Sequence, residues 1–354
     1  MIVCTHDTAV VILSYNGRKW HELFLPKIIE QAATGYDVIV ADNASTDDTY
    51  QYLQENFPTI KTVQIAVNHG FANGYAEALK QVKAKYYILL SSDFEVTDGW
   101  FPPLHRAMEA HPDMAACQPK IRYWREKELF EYAGAAGGFI DHWGYMFCRG
   151  RIFNDIEKDN GQYDDDIEVF WASGGCLVVR ADLYHQLGGL DADLYAHMEE
   201  IDLCWRFKNA GYRIGAIGSS TVYHVGGSVI SYGSPQKLYY NFRNNLVLLL
   251  KNERGAKLLW LFPLRLVLDG VAGLQMLLKG NFVGTYTILK AHFHFYGSLG
   301  KWLKRRRENK KRITHRNTTG IYPHSIVWQY FGKKKKTFPE LEWEVNKLNR
   351  DLLD

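Results

Sequence analysis

The chain has little of what would mark a secreted, disulfide-built or zinc-scaffolded protein. Its 5 cysteines (Cys4, Cys117, Cys148, Cys176 and Cys204) are odd in number, scattered and never in CxxC spacing. That pattern excludes a zinc ribbon and a disulfide framework, so a reducing compartment is expected. No basic stretch followed by an apolar run opens the sequence, which reads Met1-Ile2-Val3-Cys4-Thr5-His6-Asp7, and no secretory signal peptide is expected there. Acidic residues are scarce in one stretch near the C-terminus. Lys301–Lys336 carries thirteen Lys and Arg against one acid, Glu308, although the whole chain is only +3. The rest is therefore net acidic, and a basic segment on an acidic body points to an anionic surface.

What is present is enough apolar material for one large core or two modest ones: 47% of 354 residues. Aromatics are abundant, with 10 Trp and 22 Tyr. Such a content suits packing against sugar rings or a membrane interface, and equally an ordinary core.

Ala9–Leu13 is a β-branched apolar run ending at Ser14-Tyr15-Asn16-Gly17, the pattern of a buried parallel strand entering a loop. A helix is expected over Trp20–Ala33, then a strand over Asp37–Ala41 that ends in Asp42-Asn43-Ala44-Ser45-Thr46-Asp47. Ser45 or Thr46 is a candidate cap for the next helix. Lys61–Ala66 reads as the third strand, followed by Asn68-His69-Gly70-Phe71-Ala72-Asn73-Gly74 and a helix over Tyr75–Val82. Tyr86–Leu90 is the fourth strand, ending at Ser91-Ser92-Asp93-Phe94-Glu95. Strand and helix alternate, the signature of a doubly wound α/β sheet. Ligands of such sheets bind beyond the carboxyl ends of the strands, where Ser14, Asp42, Asn68 and Asp93 fall. Each alone is ordinary turn chemistry; four polar strand ends together point to a site.

Past Pro119 glycines interrupt an aromatic region, and Asp155–Asp166 reads as a mobile acidic loop. One strand is expected over Ile167–Arg180, with Ser173-Gly174-Gly175-Cys176 inside it as a bulge or a close approach to ligand. Then comes Met198-Glu199-Glu200-Ile201-Asp202, opening a short helix that Gly211 ends. On a helix Glu199 and Asp202 share a face while Glu200 points about 100° away. One carboxylate can face a site while its neighbours anchor the helix. A solvated acidic first turn is the plain alternative. A strand at Arg213–Ala216 and the segment Tyr223-His224-Val225-Gly226-Gly227-Ser228 follow.

These motifs, in this order, resemble the family 2 glycosyltransferases with the Rossmann-like GT-A fold, and most closely the bacterial rhamnosyltransferase-like branch. The likeness covers about Val10–Arg254. It implies an α/β fold: a mixed sheet flanked by helices, spanning 1–255. For the donor, a UDP- or dTDP-linked sugar, it implies binding by Ser14, Tyr15, Asn16, Asp42, Asn68, Gly70, Asn73 and Ser92. Trp171, Ser173, Gly174 and Gly175 would lie on the acceptor side. Asp93 matches the last residue of the family's DxD motif and His224 a position that completes the metal site in some relatives, so Mg²⁺ or Mn²⁺ is the implied cofactor. Glu200 matches the catalytic base, which the family usually supplies as Asp. The resemblance implies inverting transfer to a hydroxyl of a glycan or lipid-linked acceptor in cell-surface polysaccharide synthesis. Two departures stand out: Ser91-Ser92-Asp93 keeps a single carboxylate of the DxD motif, and Glu200 is one methylene longer than Asp. They leave open Glu199 or Asp202 as base, or an inactive relative that only binds nucleotide sugar. A sugar-phosphate nucleotidyltransferase would need a glycine-rich, basic loop after the first strand, and Ser14-Tyr15-Asn16-Gly17 has no such series.

Leu258–Leu278 is apolar except for Arg265, Asp269 and Gln275. With Lys279 these fall within about 120° on a helical wheel, leaving a wide apolar face. Two central charges are costly in hydrocarbon, so an interfacial helix or hairpin is expected, with the charges at its wet side. Residues 256–316 are expected to hold the protein on an anionic membrane surface at the cytoplasmic face of the inner membrane. Residues 317–354 are expected as a C-terminal tail. No nucleic-acid partner is expected.

Overall fold

The computed structural model of the chain describes residues 1–226 and 234–348. The Gly227-Ser228 end of the His224 segment and the last residues, 349–354, lie outside the described residues. Helices in chain order are α1 (Arg18–Gln31), α2 (Thr49–Asn56), α3 (Phe71–Leu79), α4 (Phe101–Ala110), α5 (Ala181–Gln186), α6 (Glu199–Asn209), α7 (Pro235–Asn252), α8 (Gly255–Leu278), α9 (Phe282–Gly297) and α10 (Leu299–Lys310).

The apolar run at 9–13 becomes the strand Thr8–Ser14, buried throughout and paired in parallel with Tyr36–Asp42 on one side and Tyr86–Ser91 on the other. Lys61–Gln64 extends this parallel half. Cys176–Arg180 then joins antiparallel to Tyr86–Ser91, and Met114–Tyr123, Arg213–His224 and Asp166–Val169 complete a mixed sheet. Period-two alternation sends successive residues to opposite faces. Val10, Ile12, Val38 and Val40 meet Phe24 and Leu25 of α1 and Leu104 of α4. Val11, Leu13, Ile39 and Ala41 meet Ala72 and Tyr75 of α3 on the other face. The sheet is buried on both sides, which is why its strands read as continuous apolar runs.

Four local expectations are corrected. The single strand over Ile167–Arg180 is two strands, Asp166–Val169 and Cys176–Arg180, lying in different parts of the sheet. The chain breaks between them because Trp171 turns inward: its Nε1 donates to the Phe139 carbonyl at 2.9 Å, and its ring covers Gly138, where no Cβ intervenes. The acidic stretch is pinned by ion pairs, Asp159 to Lys120 at 2.8 Å and Asp165 to Arg149 at 2.7 Å. Ser45 and Thr46 do not cap α2, which begins at Thr49 after Asp48; they bond the Asn16 loop instead. Residues 317–348 fold back on the body. Ile321–Tyr322 pairs in parallel with Gly138–Asp141, and Asn346 and Leu348 bond the backbone of Glu168 and Asp166.

In the C-terminal helices, α9 packs against both α7 and α8. Arg265 and Asp269 are not at a wet side: both are buried, paired at 3.1 Å, with His292 Nε2 3.0 Å from the Asp269 carboxylate. Only Gln275 and Lys279 of that polar stripe reach solvent.

Candidate active site

The parallel strands deliver their polar ends to one edge, and the loops there bond one another. Asn16, at φ +50°, accepts from the Thr46 backbone N–H at 2.8 Å, while its own N–H donates to Ser45 Oγ at 2.9 Å. The Asn43 N–H donates to the Ser14 carbonyl at 2.8 Å, and Asn43 Nδ2 to Asn68 Oδ1 at 3.0 Å. Asn68 Oδ1 also accepts from the Gly70 N–H at 2.9 Å. Ser14, Asn16, Asp42, Asn68 and Gly70 thus form one connected rim. Tyr15 is exposed on it, Asn73 sits half-buried in the first turn of α3, and Ser92 lies across Gly17 from Ser14. Asp42 is buried with Oδ1 lacking any partner, an acceptor that a buried site leaves unpaired only at a cost unless a ligand supplies a donor. Ser14 Oγ is already engaged, 2.8 Å from His21 Nε2. Burial drives the His21 imidazole down to about 4, so it is neutral and holds the serine in place.

Gly70 (φ +93°) carries the rim to the next element, since a Cβ there would collide with the Tyr195 ring at 2.7 Å. Tyr195, His197 and Met198 all have positive φ, a strained run just before α6. α7 holds it: Asn244 Nδ2 donates to the carbonyls of Leu194, Ala196 and His197, the last at 2.6 Å, and Arg243 donates to Leu194 at 2.9 Å. Neither residue was flagged from sequence. Polar residues on a helix whose strip of Leu and Val is buried were the available signal.

The three carboxylates of α6 separate as the wheel required, and none forms a solvated first turn. Glu200 lies against Gly174, where a Cβ would stand 3.2 Å from its own Cβ, and its Oε2 has no partner. Burial raises the Glu200 carboxyl to about 7, against the pull of the N–H groups of Glu200, Ile201 and Gly174. Glu199 is more deeply buried, and burial together with the Glu200 charge pushes it well above the usual carboxylate range. Asp202 is wholly committed to structure. It is fully buried, accepts from Arg206 Nε at 3.0 Å, Lys251 Nζ at 2.8 Å and Asn252 Nδ2 at 2.8 Å, and so bolts α6 to α7. Asp202→Asn is therefore expected to lower stability by roughly 3 kcal/mol, the cost of breaking a buried pair, without altering donor affinity of the folded protein. Chemical denaturation beside a donor titration checks this; unchanged stability with lost transfer would put Asp202 back among the candidate bases.

Of the acceptor-side residues, Gly174 and Gly175 touch the site; Gly175 backs onto Phe94. Trp171 does not. It is buried against Gly138 with its indole N–H already bonded. Ser173 Oγ is likewise spent on the Ala133 carbonyl at 2.7 Å.

The segment after the fourth strand crosses to the far side of the sheet, where Phe94–Val96 pairs with Val222–His224. This brings Asp93 to His224 Nε2 at 3.2 Å, with the imidazole stacked on Phe94 at 4.2 Å. On the other ring nitrogen, Nδ1 stands 3.2 Å from Glu131, a residue the sequence reading missed because nothing around it forms a motif. Burial opposes charge on His224, but the Asp93 and Glu131 carboxylates together raise it to about 10. No group of three His, Cys, Asp or Glu arranged as a ligand set occurs among the described residues. Asp93 and His224 are nevertheless residue types that could ligate a divalent cation, and Glu131 stands where it could orient the imidazole from behind.

A model of glycosyl transferase family 2 matches residues 9–188, which is 180 of the 354 residues. The chain is 24% identical over 284 residues to the N-acetylglucosaminyl-diphospho-decaprenol L-rhamnosyltransferase of Mycobacterium tuberculosis, covering 75% of this chain and 90% of that protein. It is 18% identical over 247 residues to the low-salt glycan biosynthesis hexosyltransferase Agl10 of Haloferax volcanii, covering 68% and 75%. Among solved structures, GalNAc-T7 with UDP, GalNAc and Mn²⁺ superposes with a TM-score of 0.53 at 14% identity, over 69% of this chain and 47% of that one, a likeness of fold. With the family motifs at the strand ends, and the fold and the matched residues in agreement, the chain belongs to glycosyl transferase family 2.

Proposed function

We propose that this glycosyltransferase works by inversion, moving a sugar from a UDP- or dTDP-linked donor to a hydroxyl of a glycan or lipid-linked acceptor during cell-surface polysaccharide synthesis. The observation that carries this reading is Glu200: a carboxyl with an unpartnered oxygen, raised to about 7 by burial, set against Gly174 at the start of α6. A base works best with a pKa near the working pH. Glu200 takes the acceptor hydroxyl's proton as that oxygen attacks the anomeric carbon. The bond from that carbon to the diphosphate oxygen breaks, and its electron pair leaves with the diphosphate. Attack opposite the leaving group inverts the anomeric centre.

The other residues bind and orient. The Asp42 carboxylate accepts a base N–H or ribose hydroxyl, and the Asn68–Gly70 turn and Asn73 border the nucleoside and sugar. Asp93 and His224 would hold Mg²⁺ or Mn²⁺, with Glu131 accepting from His224 Nδ1–H to fix the ring. A cation held there would neutralise charge on the diphosphate. The mycobacterial relative is named for a lipid-linked acceptor and for rhamnose. That supports a membrane location and makes dTDP-rhamnose the first donor to try; the cytoplasmic face of the inner membrane is part of the proposal.

Thermal unfolding with a panel of nucleotide sugars, with and without Mn²⁺, tests the donor. A true donor at 100 times its Kd stabilises by about 2.7 kcal/mol. A chain stabilised by a nucleotide sugar that neither hydrolyses nor transfers it in the presence of acceptor lipids would instead be an inactive binding relative.

A further inference from the structure

Between Gly255 and Gly297 the molecule is turned inside out. α8 is long and apolar enough to cross a membrane by length and composition, yet little of its apolar surface is covered. Its charged residues are the ones that face the protein. Arg265 lies 4.0 Å above the Tyr145 ring and pairs with Asp269, which pairs in turn with His292 of α9. Many of the large apolar side chains point the other way: Leu259 is 81% exposed, Val267 63%, Leu274 54%, Leu278 79%, and across the turn Phe282 68% and Phe293 74%. Soluble monomers seldom present a contiguous apolar face of this extent to water.

We infer that the α8–α9 hairpin is a shallow wedge that seats the enzyme on an anionic lipid bilayer, apolar face down, with the Arg265–Asp269–His292 seam as the internal tie between the two helices. This deepens the membrane location proposed above and rests on that reading for the acceptor it would meet there. Three observations select this occupant and this depth. The first is charge. Asp269 is the only acid between Gly255 and Arg307, and it is buried, whereas Lys279, Lys290, Lys304 and Arg307 are exposed. That surface complements anionic headgroups, each cation near them contributing about 1 kcal/mol. A second copy of the chain docked through the same face would bring like charges together across a two-fold axis.

The second is reach. α9 has 16 residues, about 24 Å at 1.5 Å per residue, against a hydrocarbon core of about 30 Å. α9 also packs along α7, with Tyr239 Oη 2.7 Å from His294 Nδ1, so it cannot leave the body to span. The third is anchorage at both ends. α7 enters the hairpin and α10 leaves it, and both are fastened to the catalytic body. Arg306 donates to the Leu250 and Glu253 carbonyls, Arg312 to Leu187, and Lys301 and Arg305 pair with Asp193. Part of the basic run is therefore structural, leaving Lys304, Arg307, Lys310 and Lys311 for the headgroups. Asp193 adjoins the strained loop before Glu200, so the membrane seat and the catalytic helix share one rigid frame.

The test is flotation of the full-length protein with acceptor-free vesicles of phosphatidylcholine, with and without phosphatidylglycerol, at low and high salt. Transfer to a water-soluble acceptor is measured separately. Wild type should bind phosphatidylglycerol vesicles, less tightly at high salt but still measurably. The triple variant Val267→Glu, Leu274→Glu, Phe282→Glu should partition at least about 100-fold less, since three exposed apolar anchors become charges. Lys279→Gln, Lys290→Gln, Lys304→Gln, Arg307→Gln, Lys310→Gln and Lys311→Gln together should abolish the dependence on salt and phosphatidylglycerol while an apolar affinity persists. If the triple variant does not fold by circular dichroism, Leu278→Glu alone at the hairpin tip takes its place, with a smaller loss in the same direction. Detergent-free wild type that ignores phosphatidylglycerol vesicles at low salt overturns the inference. So does a wild-type dimer that ignores vesicles and that these substitutions make monomeric, which assigns the face to a second copy. Vesicle binding as described without any transfer would sink the catalytic reading and leave the wedge standing.

Discussion

Glu200→Gln is expected to reduce sugar transfer by about 10²–10⁴-fold, the usual contribution of a positioned general base, with donor affinity nearly unchanged. The exchange keeps the size of the side chain and its contact with Gly174 and removes only the capacity to take a proton. The pH profile separates this from a structural effect. Burial has raised the Glu200 carboxyl from 4.5 to about 7, and a base acts only when unprotonated. Wild-type transfer should therefore climb as pH rises through about 7 and level off above it; an unperturbed glutamate would place that limb near 4.5. The Gln variant should lose the limb along with the rate. Glu199 is the control, because its own carboxyl is also pushed well above the usual carboxylate range, by burial and by the Glu200 charge. If Glu200→Gln transfers almost normally and Glu199→Gln does not, the base is Glu199.

Asp93→Ala should abolish metal-stimulated turnover and metal-dependent donor binding while the protein stays folded. Asp93 is the one carboxylate in Ser91-Ser92-Asp93, and it reaches His224 at 3.2 Å. No second aspartate of that motif can stand in. Glu131→Gln should act more gently, weakening Mn²⁺ affinity about 10–100-fold, as expected when the group that orients a ligating imidazole is lost. Mn²⁺ titration in the presence of a nucleoside diphosphate, followed by calorimetry, reads both variants without relying on turnover. Full activity of Asp93→Ala in excess EDTA would end the metal assignment. Equal Mn²⁺ affinity for wild type and Glu131→Gln would reduce Glu131 to a partner of a structural histidine.

The parallel half of the sheet was legible because its rules are local. A β-branched run such as Ala9–Leu13 followed within a few residues by Ser14, Tyr15 and Asn16 states both a buried strand and its carboxyl end. The same holds for Asp42, Asn68 and Asp93, and for the separation of Glu200 from Glu199 and Asp202 on α6, since the helical wheel needs only the repeat. Locality also explains the errors. Ile167–Arg180 reads as one strand because nothing within it says that Trp171 must turn in against Gly138, 33 residues earlier. The acidic loop at 155–166 looks mobile until Lys120 and Arg149 are placed beside it.

The sequence by itself determined the α/β class, the polar residues at the strand ends, and that the carboxylates opening α6 do not all face one way. These follow from periodicity within ten or so residues. Only the tertiary structure decided which charges work and which merely hold. Asp202 is spent on Lys251, 49 positions away, and Asn244 steadies His197 from 47 positions away. Glu131 stands behind His224, and Arg265 and Asp269 face inward while their apolar neighbours face out. A buried charge must find its partner wherever the fold brings one, and composition along the chain does not encode that distance.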